Sequence, residues 1–351
     1  MKHNRCIYLL LLIPLIALWG CEGDEGPAGP SGADGTDGTD GNNGIDGIDG
    51  NVTCLECHNT DIQNSISLQY DRSGHALGEF VDYAGGRASC ARCHGGQGFV
   101  EFVTTGDVDA DFTNPESINC GHCHSIHATF EEEDYALRLN GAVPWIFDED
   151  YAATTIDFGD SSNLCASCHQ SRRGEPQLTN PDEATFEITS THWGPHHGAQ
   201  ANVLAGIGFA EIAGTWSYPT SLAHTNAGVT CVTCHMGEYG DGDGGHTWNA
   251  NLTNCLGCHD GAPDFNIGNV QTANQALLDE LQALLLDQGV IEWVEEDEAY
   301  EPVPAVYTQV QAQAFFNWIG LTEDRSLGVH NPRYVEALLM NSIEAITPPS
   351  Q

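Results

Sequence analysis

Six copies of Cys-x-x-Cys-His constrain this chain more than any other feature. They are Cys54, Cys57 and His58 (motif 1); Cys90, Cys93 and His94 (motif 2); Cys120, Cys123 and His124 (motif 3); Cys165, Cys168 and His169 (motif 4); Cys231, Cys234 and His235 (motif 5); and Cys255, Cys258 and His259 (motif 6). Two thiols three residues apart, followed at once by an imidazole, can add to both vinyl groups of one haem while the histidine reaches the iron. This is the attachment signature of c-type haem. The rival use of paired Cys-x-x-Cys is a zinc ribbon, in which two pairs converge on one tetrahedral ion. It fails because histidine, present at only 16 of 351 positions, follows the second cysteine all six times. Of 14 cysteines, 12 lie in motifs and the others are Cys6 and Cys21, which leaves none for a disulfide.

The chain opens with a short basic stretch, Met1-Lys2-His3-Asn4-Arg5, and an apolar run from Ile7 to Trp19. A run this short with these flanks reads as an export signal and not as a membrane span. Leu18-Trp19-Gly20-Cys21 resembles a bacterial lipobox, which implies cleavage after residue 20 and lipidation of Cys21; ordinary signal cleavage beside a stray cysteine is the alternative. From Gly23 to Gly50 every third residue is glycine. That is the collagen period, since only glycine fits at the axis of three wound polyproline-like strands. A trimeric stalk and a flexible acidic spacer both satisfy it. Only Pro27 and Pro30 pre-set the backbone, and Asp34, Asp37, Asp40, Asp46 and Asp49 would face like charges. Either form, extended at ~3 Å per residue, carries the remainder on the order of 90 Å from a membrane.

The full chain has 10 cationic side chains against 50 acidic ones. Removing residues 1–20 takes Lys2 and Arg5, so eight arginines and no lysine remain. Such a surface repels nucleic acid and anionic lipid and favours a cationic partner, a mineral surface or calcium. Adaptation to a salty medium, where charge is screened, explains it equally well. Asp241-Gly242-Asp243 is the one stretch that suggests calcium as a second cofactor.

The motifs start 36, 30, 45, 66 and 24 residues apart, too irregular for a solenoid. Between them the chain is rich in Gly, Asp, Asn and Ser, so an ordinary hydrophobic core cannot be read there and haem must supply much of it. The expected fold is mainly α with extensive loops and little or no sheet, organised around covalent haem. Four segments follow: a signal over 1–20, Cys21 and the spacer over 21–51, a hexahaem domain over 52–262, and a helical segment over 263–351 packed on it. In the last segment Val270, Ala273, Leu277, Leu281, Leu284 and Leu285 mark one face of a helix ended by Gly289. A second helix is expected from Thr308 to Ile319, stopping at Gly320. A third opens at Asn331-Pro332 and carries Val335, Leu338, Leu339 and Ile343.

Each motif histidine fills one axial position, and the other decides what a haem can do. A second imidazole leaves electron transfer, whereas an open position permits substrate chemistry. The candidates for the second position are His75, His127, His192, His196, His197, His224, His246 and His330. His122 ranks last because it sits inside motif 3.

The motifs and the long C-terminal helices containing Gly328-Val329-His330-Asn331-Pro332 resemble bacterial multihaem c-type cytochromes. The C-terminal part is similar to the pentahaem nitrite reductase and octahaem reductase group. In those nitrite reductases the catalytic haem is held by Cys-x-x-Cys-Lys, whereas every motif here ends in histidine. The resemblance implies export, haem attachment outside the cytoplasm, and electron relay between redox partner proteins or to an extracellular acceptor, from an outer-membrane lipoprotein. The chain then acts as an electron carrier and is held to the membrane by lipid alone. The alternative is reduction of a small nitrogen or sulfur oxyanion at one five-coordinate haem, with Arg172 and Arg173 binding the anion or, more simply, haem propionates.

Overall fold

Short turns of helix strung on long loops carry the first two hundred described residues, because the segments between motifs lack the sustained apolar periodicity that longer helices need. The structure is a computed structural model and describes residues 58–129, 134, 136–146, 154–180, 182–219 and 223–349. The export signal, Cys21, the glycine repeat and Cys54 and Cys57 lie outside the described residues. The helices are α1 Thr60–Tyr70, α2 Gly74–Leu77, α3 Ala88–His94, α4 Gly96–Thr105, α5 Cys120–Cys123, α6 Ser162–Ala166, α7 Gln200–Ala205, α8 Ala223–Asn226 and α9 Cys231–His235, with a single π turn at Val81–Gly85. Three longer helices follow: α10 Val270–Asp287, α11 Gln309–Asp324 and α12 Pro332–Ile346.

Sheet is confined, among the described residues, to three two-stranded antiparallel pairs. β1 (Val143–Pro144) pairs with β2 (Thr155–Ile156), and β4 (Ile291–Val294) with β5 (Ala299–Pro302). β3 (Thr185–Ile188) pairs with β6 (Ala305–Thr308) in a register that sets Phe186 opposite Tyr307, tying the loop after motif 4 to the start of α11. The fold is therefore mainly helical with extensive loops, as expected.

The C-terminal helices depart from expectation in three details. In α10 the buried positions are Asn274, Leu278, Leu281 and Leu285, with Leu277 and Leu284 partly covered, while Ala273 is exposed. The apolar stripe is thus rotated toward Leu278. Gly289 does follow the helix in a left-handed conformation, φ +67°. Gly320 is no stop: α11 runs through it to Asp324. A Cβ at Gly320 would lie 2.6 Å from Phe209, so glycine serves close packing there and not termination. Asn331 precedes α12, but its amide donates to the Val203 carbonyl at 3.0 Å and leaves the helix end uncapped by a side chain.

An ordinary apolar core does exist. It joins Leu281 and Leu285 of α10, Phe315, Phe316, Trp318 and Leu321 of α11, and Tyr334, Leu338 and Leu339 of α12. Ile188, Trp193, Val203, Phe209 and Ile212, from the stretch between motifs 4 and 5, complete it. Buried amides hold this stretch in place. Asn317 Oδ1 accepts from the Ala210 amide at 2.9 Å and its Nδ2 donates to the Ala210 carbonyl at 2.8 Å, and Asn341 brackets the Trp216 backbone at 3.0 and 2.8 Å. A buried polar group left without such partners costs about 1–3 kcal/mol. These amides therefore fix where the loop lies as well as how tightly.

Candidate metal centres

Each described motif is one turn of helix. Motif 2 ends α3, motif 5 is α9, and in motifs 3, 4 and 6 the histidine amide donates to the carbonyl of the first cysteine at 2.9 Å. Residues three and four apart share a helix face, so this turn presents both thiols and the imidazole to one side. Capping boxes start two of the turns, from Asn119 with His122 and from Thr230 with Thr233. His122 Nδ1 accepts from the Asn119 amide at 3.0 Å, a structural task that accounts for this histidine. None of the ten described motif cysteines is in a disulfide.

The fold sets a second histidine ring against five of the six motif histidines. Ring centroids are 6.0 Å apart for His58 and His127, 6.1 Å for His169 and His75, and 6.1 Å for His94 and His196. They are 6.3 Å apart for His235 and His330 and 6.5 Å for His259 and His224. The remaining motif histidine, His124, lies close enough to His246 to depress its pKa, after burial, the larger cause. A metal–imidazole bond is about 2 Å and a ring nitrogen lies ~1.1 Å from its centroid, so two imidazoles facing across one ion sit with centroids roughly 6.3 Å apart. Thiols, motif histidines and second histidines therefore fit c-type haem held from both faces.

The second histidines suit that task chemically. Burial, then a nearby histidine charge in one case and Arg172 in the other, lowers the pKa of His75 and of His196 to about 4, which keeps both rings neutral as a metal ligand requires. His235 Nδ1 donates to the Trp248 carbonyl at 2.8 Å, and His330 Nδ1 contacts the buried Asp324 carboxylate at 2.6 Å. Each bond occupies Nδ1 and leaves Nε2 as the ligating nitrogen.

Two candidates are placed elsewhere. The His192 side chain is 79% exposed and lies 4.0 Å from Glu301, and that of His197 is 74% exposed and bonds Glu323 at 2.8 Å. The run from His192 to His197 thus contributes one histidine, His196, to a pair. Arg172 and Arg173 are exposed, and the Arg172 charge depresses both His94 and His196 after burial, which puts it beside that pair. At Asp241-Gly242-Asp243 the chain makes a tight turn through the Gly240–Asp243 bridge, and Asp243 accepts from Asn249 at 3.1 Å. Among the described residues no group of three or more His, Cys, Asp or Glu is gathered to hold a bare ion, so the calcium expectation finds no site.

Two residues near the pairs carried no signal in the sequence. Asp324, the last residue of α11, is 3% exposed and orients His330; its other oxygen accepts from Ser326. Trp248 packs against His75 and His246.

No protein-family model matches the chain. It is 25% identical to the C-type polyheme cytochrome OmcB of Geobacter sulfurreducens, in both strain DL-1/KN400 and strain PCA, over 75% of this chain and 44% of the relative. In structure it is similar to the outer cell wall cytochrome OcwA, with a TM-score of 0.51 and 16% identity over 80% of this chain and 50% of that one. The chain thus spans less than half the length of the curated relatives it matches. The fold is that of a cytochrome, and the sequence likeness supports a multihaem c-type cytochrome. No helix among the described residues is long and apolar enough to cross a membrane.

Proposed function

We propose that this protein is a hexahaem c-type cytochrome that relays electrons one at a time through six haems, each held by two histidines. The ligand pairs are His58 with His127, His94 with His196, His124 with His246, His169 with His75, His235 with His330, and His259 with His224. The observation that carries this reading is the disjointness of the pairs. Five motif histidines face five different histidines at ring-centroid separations of 6.0–6.5 Å, and the sixth, His124, has a different histidine, His246, near it, so each motif histidine has its own candidate partner and none is left for an open position where a substrate would bind. Haem supplies a one-electron couple on iron when bound. The chain's own residues would attach it and supply its axial ligands, and burial holds His75 and His196 neutral for that role.

Export, lipidation at Cys21 and the glycine-rich spacer place the haem unit outside the cytoplasm, held at an outer membrane by lipid. In that setting it passes electrons between a respiratory donor and an acceptor beyond the membrane. The outer-cell-wall position named for OcwA is in keeping with this. The acidic surface selects a cationic partner.

The test is spectroscopic. The haem-loaded protein is expected to contain six haems per chain, all low-spin in the ferric state, and the reduced protein is expected to ignore carbon monoxide. His75→Ala should create one haem in six that binds carbon monoxide, while His192→Ala and His197→Ala should create none. Carbon monoxide binding by the unmodified protein would overturn the reading and favour a reductase.

A further inference from the structure

Trp248 touches three of the paired histidines. Its ring centroid lies 4.6 Å from that of His75 at an interplanar angle of 84°, and 5.5 Å from that of His246 at 73°. Both are edge-to-face contacts of the kind aromatic rings prefer. Its carbonyl accepts from His235 Nδ1 at 2.8 Å. One residue therefore contacts a histidine of motif 4's pair, of motif 3's pair and of motif 5's pair.

The backbone at Trp248 is unusual in a way that fits this task. Its φ is +55° and its ψ 13°, the left-handed conformation that bulky side chains avoid. Such a conformation persists only where surroundings over-determine it, and clusters at functional positions. Here the Trp248 amide donates to the Gly245 carbonyl at 3.3 Å, Thr247 Oγ1 donates to the Gly244 carbonyl at 2.7 Å, and the His246 amide donates to Gln69 Oε1 at 2.9 Å. Gln69 is a buried residue of α1. A short loop after motif 5 is thereby pinned to the element before His75, with the indole between the two distal histidines.

The motif turns themselves are joined to one another. Cys168 Sγ lies 3.6 Å from the Arg92 carbonyl and the Arg92 guanidinium donates to the Ser167 carbonyl at 3.3 Å, so motifs 2 and 4 are back to back. The Val232 amide donates to Ser162 Oγ at 3.1 Å and Thr230 donates to Asp160 at 2.6 Å, which joins motif 5 to motif 4. Motif 4 is central to this packing.

Resting on the axial pairs proposed above, we infer that Trp248 is a positioning residue shared by three of them: its ring fixes the imidazole planes of His75 and His246, and its carbonyl orients His235, so that the histidines that would hold the haems of motifs 3, 4 and 5 keep a defined orientation.

The experiment is electron paramagnetic resonance of the fully loaded ferric protein, unmodified and as Trp248→Ala and Trp248→Phe. Low-spin ferric signals respond to the orientation of the axial imidazole planes. Trp248→Ala removes the ring and keeps the carbonyl, so two of the six signals are expected to shift and the other four to remain. Trp248→Phe, which keeps an aromatic edge, is expected to return those two toward their original positions. Unchanged signals in Trp248→Ala would overturn the inference, as would a shift in Trp248→Phe equal to that in the alanine variant. If Trp248→Ala loads fewer than six haems, Trp248→Leu offers similar volume without an aromatic edge and is expected to give the same two-signal shift; six unmoved signals there overturn the inference equally. A high-spin signal or carbon monoxide binding in the unmodified protein would instead count against the axial pairs, so the two failures are told apart.

Discussion

The His330–Asp324 contact is the most specific piece of tuning at the residue scale. On the axial pairs proposed above, a buried carboxylate accepting from His330 Nδ1 would give that ring more imidazolate character and so favour ferric over ferrous iron. Asp324→Asn should keep a hydrogen bond while removing the charge. The expected result is one haem whose reduction potential rises by on the order of tens of millivolts, with the other five unmoved, in a spectropotentiometric titration. A uniform shift of all six haems would assign the effect to net charge. Residue types at this scale were legible in the sequence: all six motif histidines, and six of the eight candidates, are the ones brought into pairs. Their partners were not legible, because His75 lies between motifs 1 and 2 yet meets motif 4, and His330 meets motif 5 from nearly a hundred residues away.

At the scale of elements, the C-terminal helices do two jobs. α11 and α12 close the apolar core, and the end of α11 and the turn after it supply Asp324 and His330. Damage to that core should therefore register at one haem. Leu338 is wholly buried among α10 and α11 side chains. Leu338→Ala is expected to destabilise the protein by about 2–5 kcal/mol, read from denaturant unfolding followed by circular dichroism. The haem of motif 5 should be the first to lose its distal ligand as denaturant rises, through the loosening of α12. The helices were legible from their period, and their limits less so. Gly320 has the look of a terminator in sequence, and only the position of Phe209 against it shows that the missing side chain makes room for packing. The β3–β6 pair was invisible for a related reason, since its two strands are four residues each and more than a hundred residues apart.

For the whole molecule, the proposal is that charge governs encounters. With 50 acidic and 10 basic side chains, the chain is expected to steer cationic partners and repel anions. Electron exchange with a cationic donor is expected to slow as ionic strength rises, and exchange with an anionic one to quicken, in stopped-flow measurements across salt. Equal slopes for both would remove steering from the account.

What the sequence by itself determined is chemistry that depends on neighbours along the chain: which cysteines and histidines form each attachment turn, because residues three and four apart share one helical face. It also determined the class of fold, since segments poor in periodic apolar residues cannot make long helices or sheets. The tertiary structure decided which second histidine meets which motif, where Trp248 and Asp324 stand, and why His192 and His197 stay outside. Those choices follow from contacts between residues tens to hundreds of positions apart. No local spacing encodes them; they arise only when loops are pinned by buried amides such as Asn317, Asn341 and Gln69.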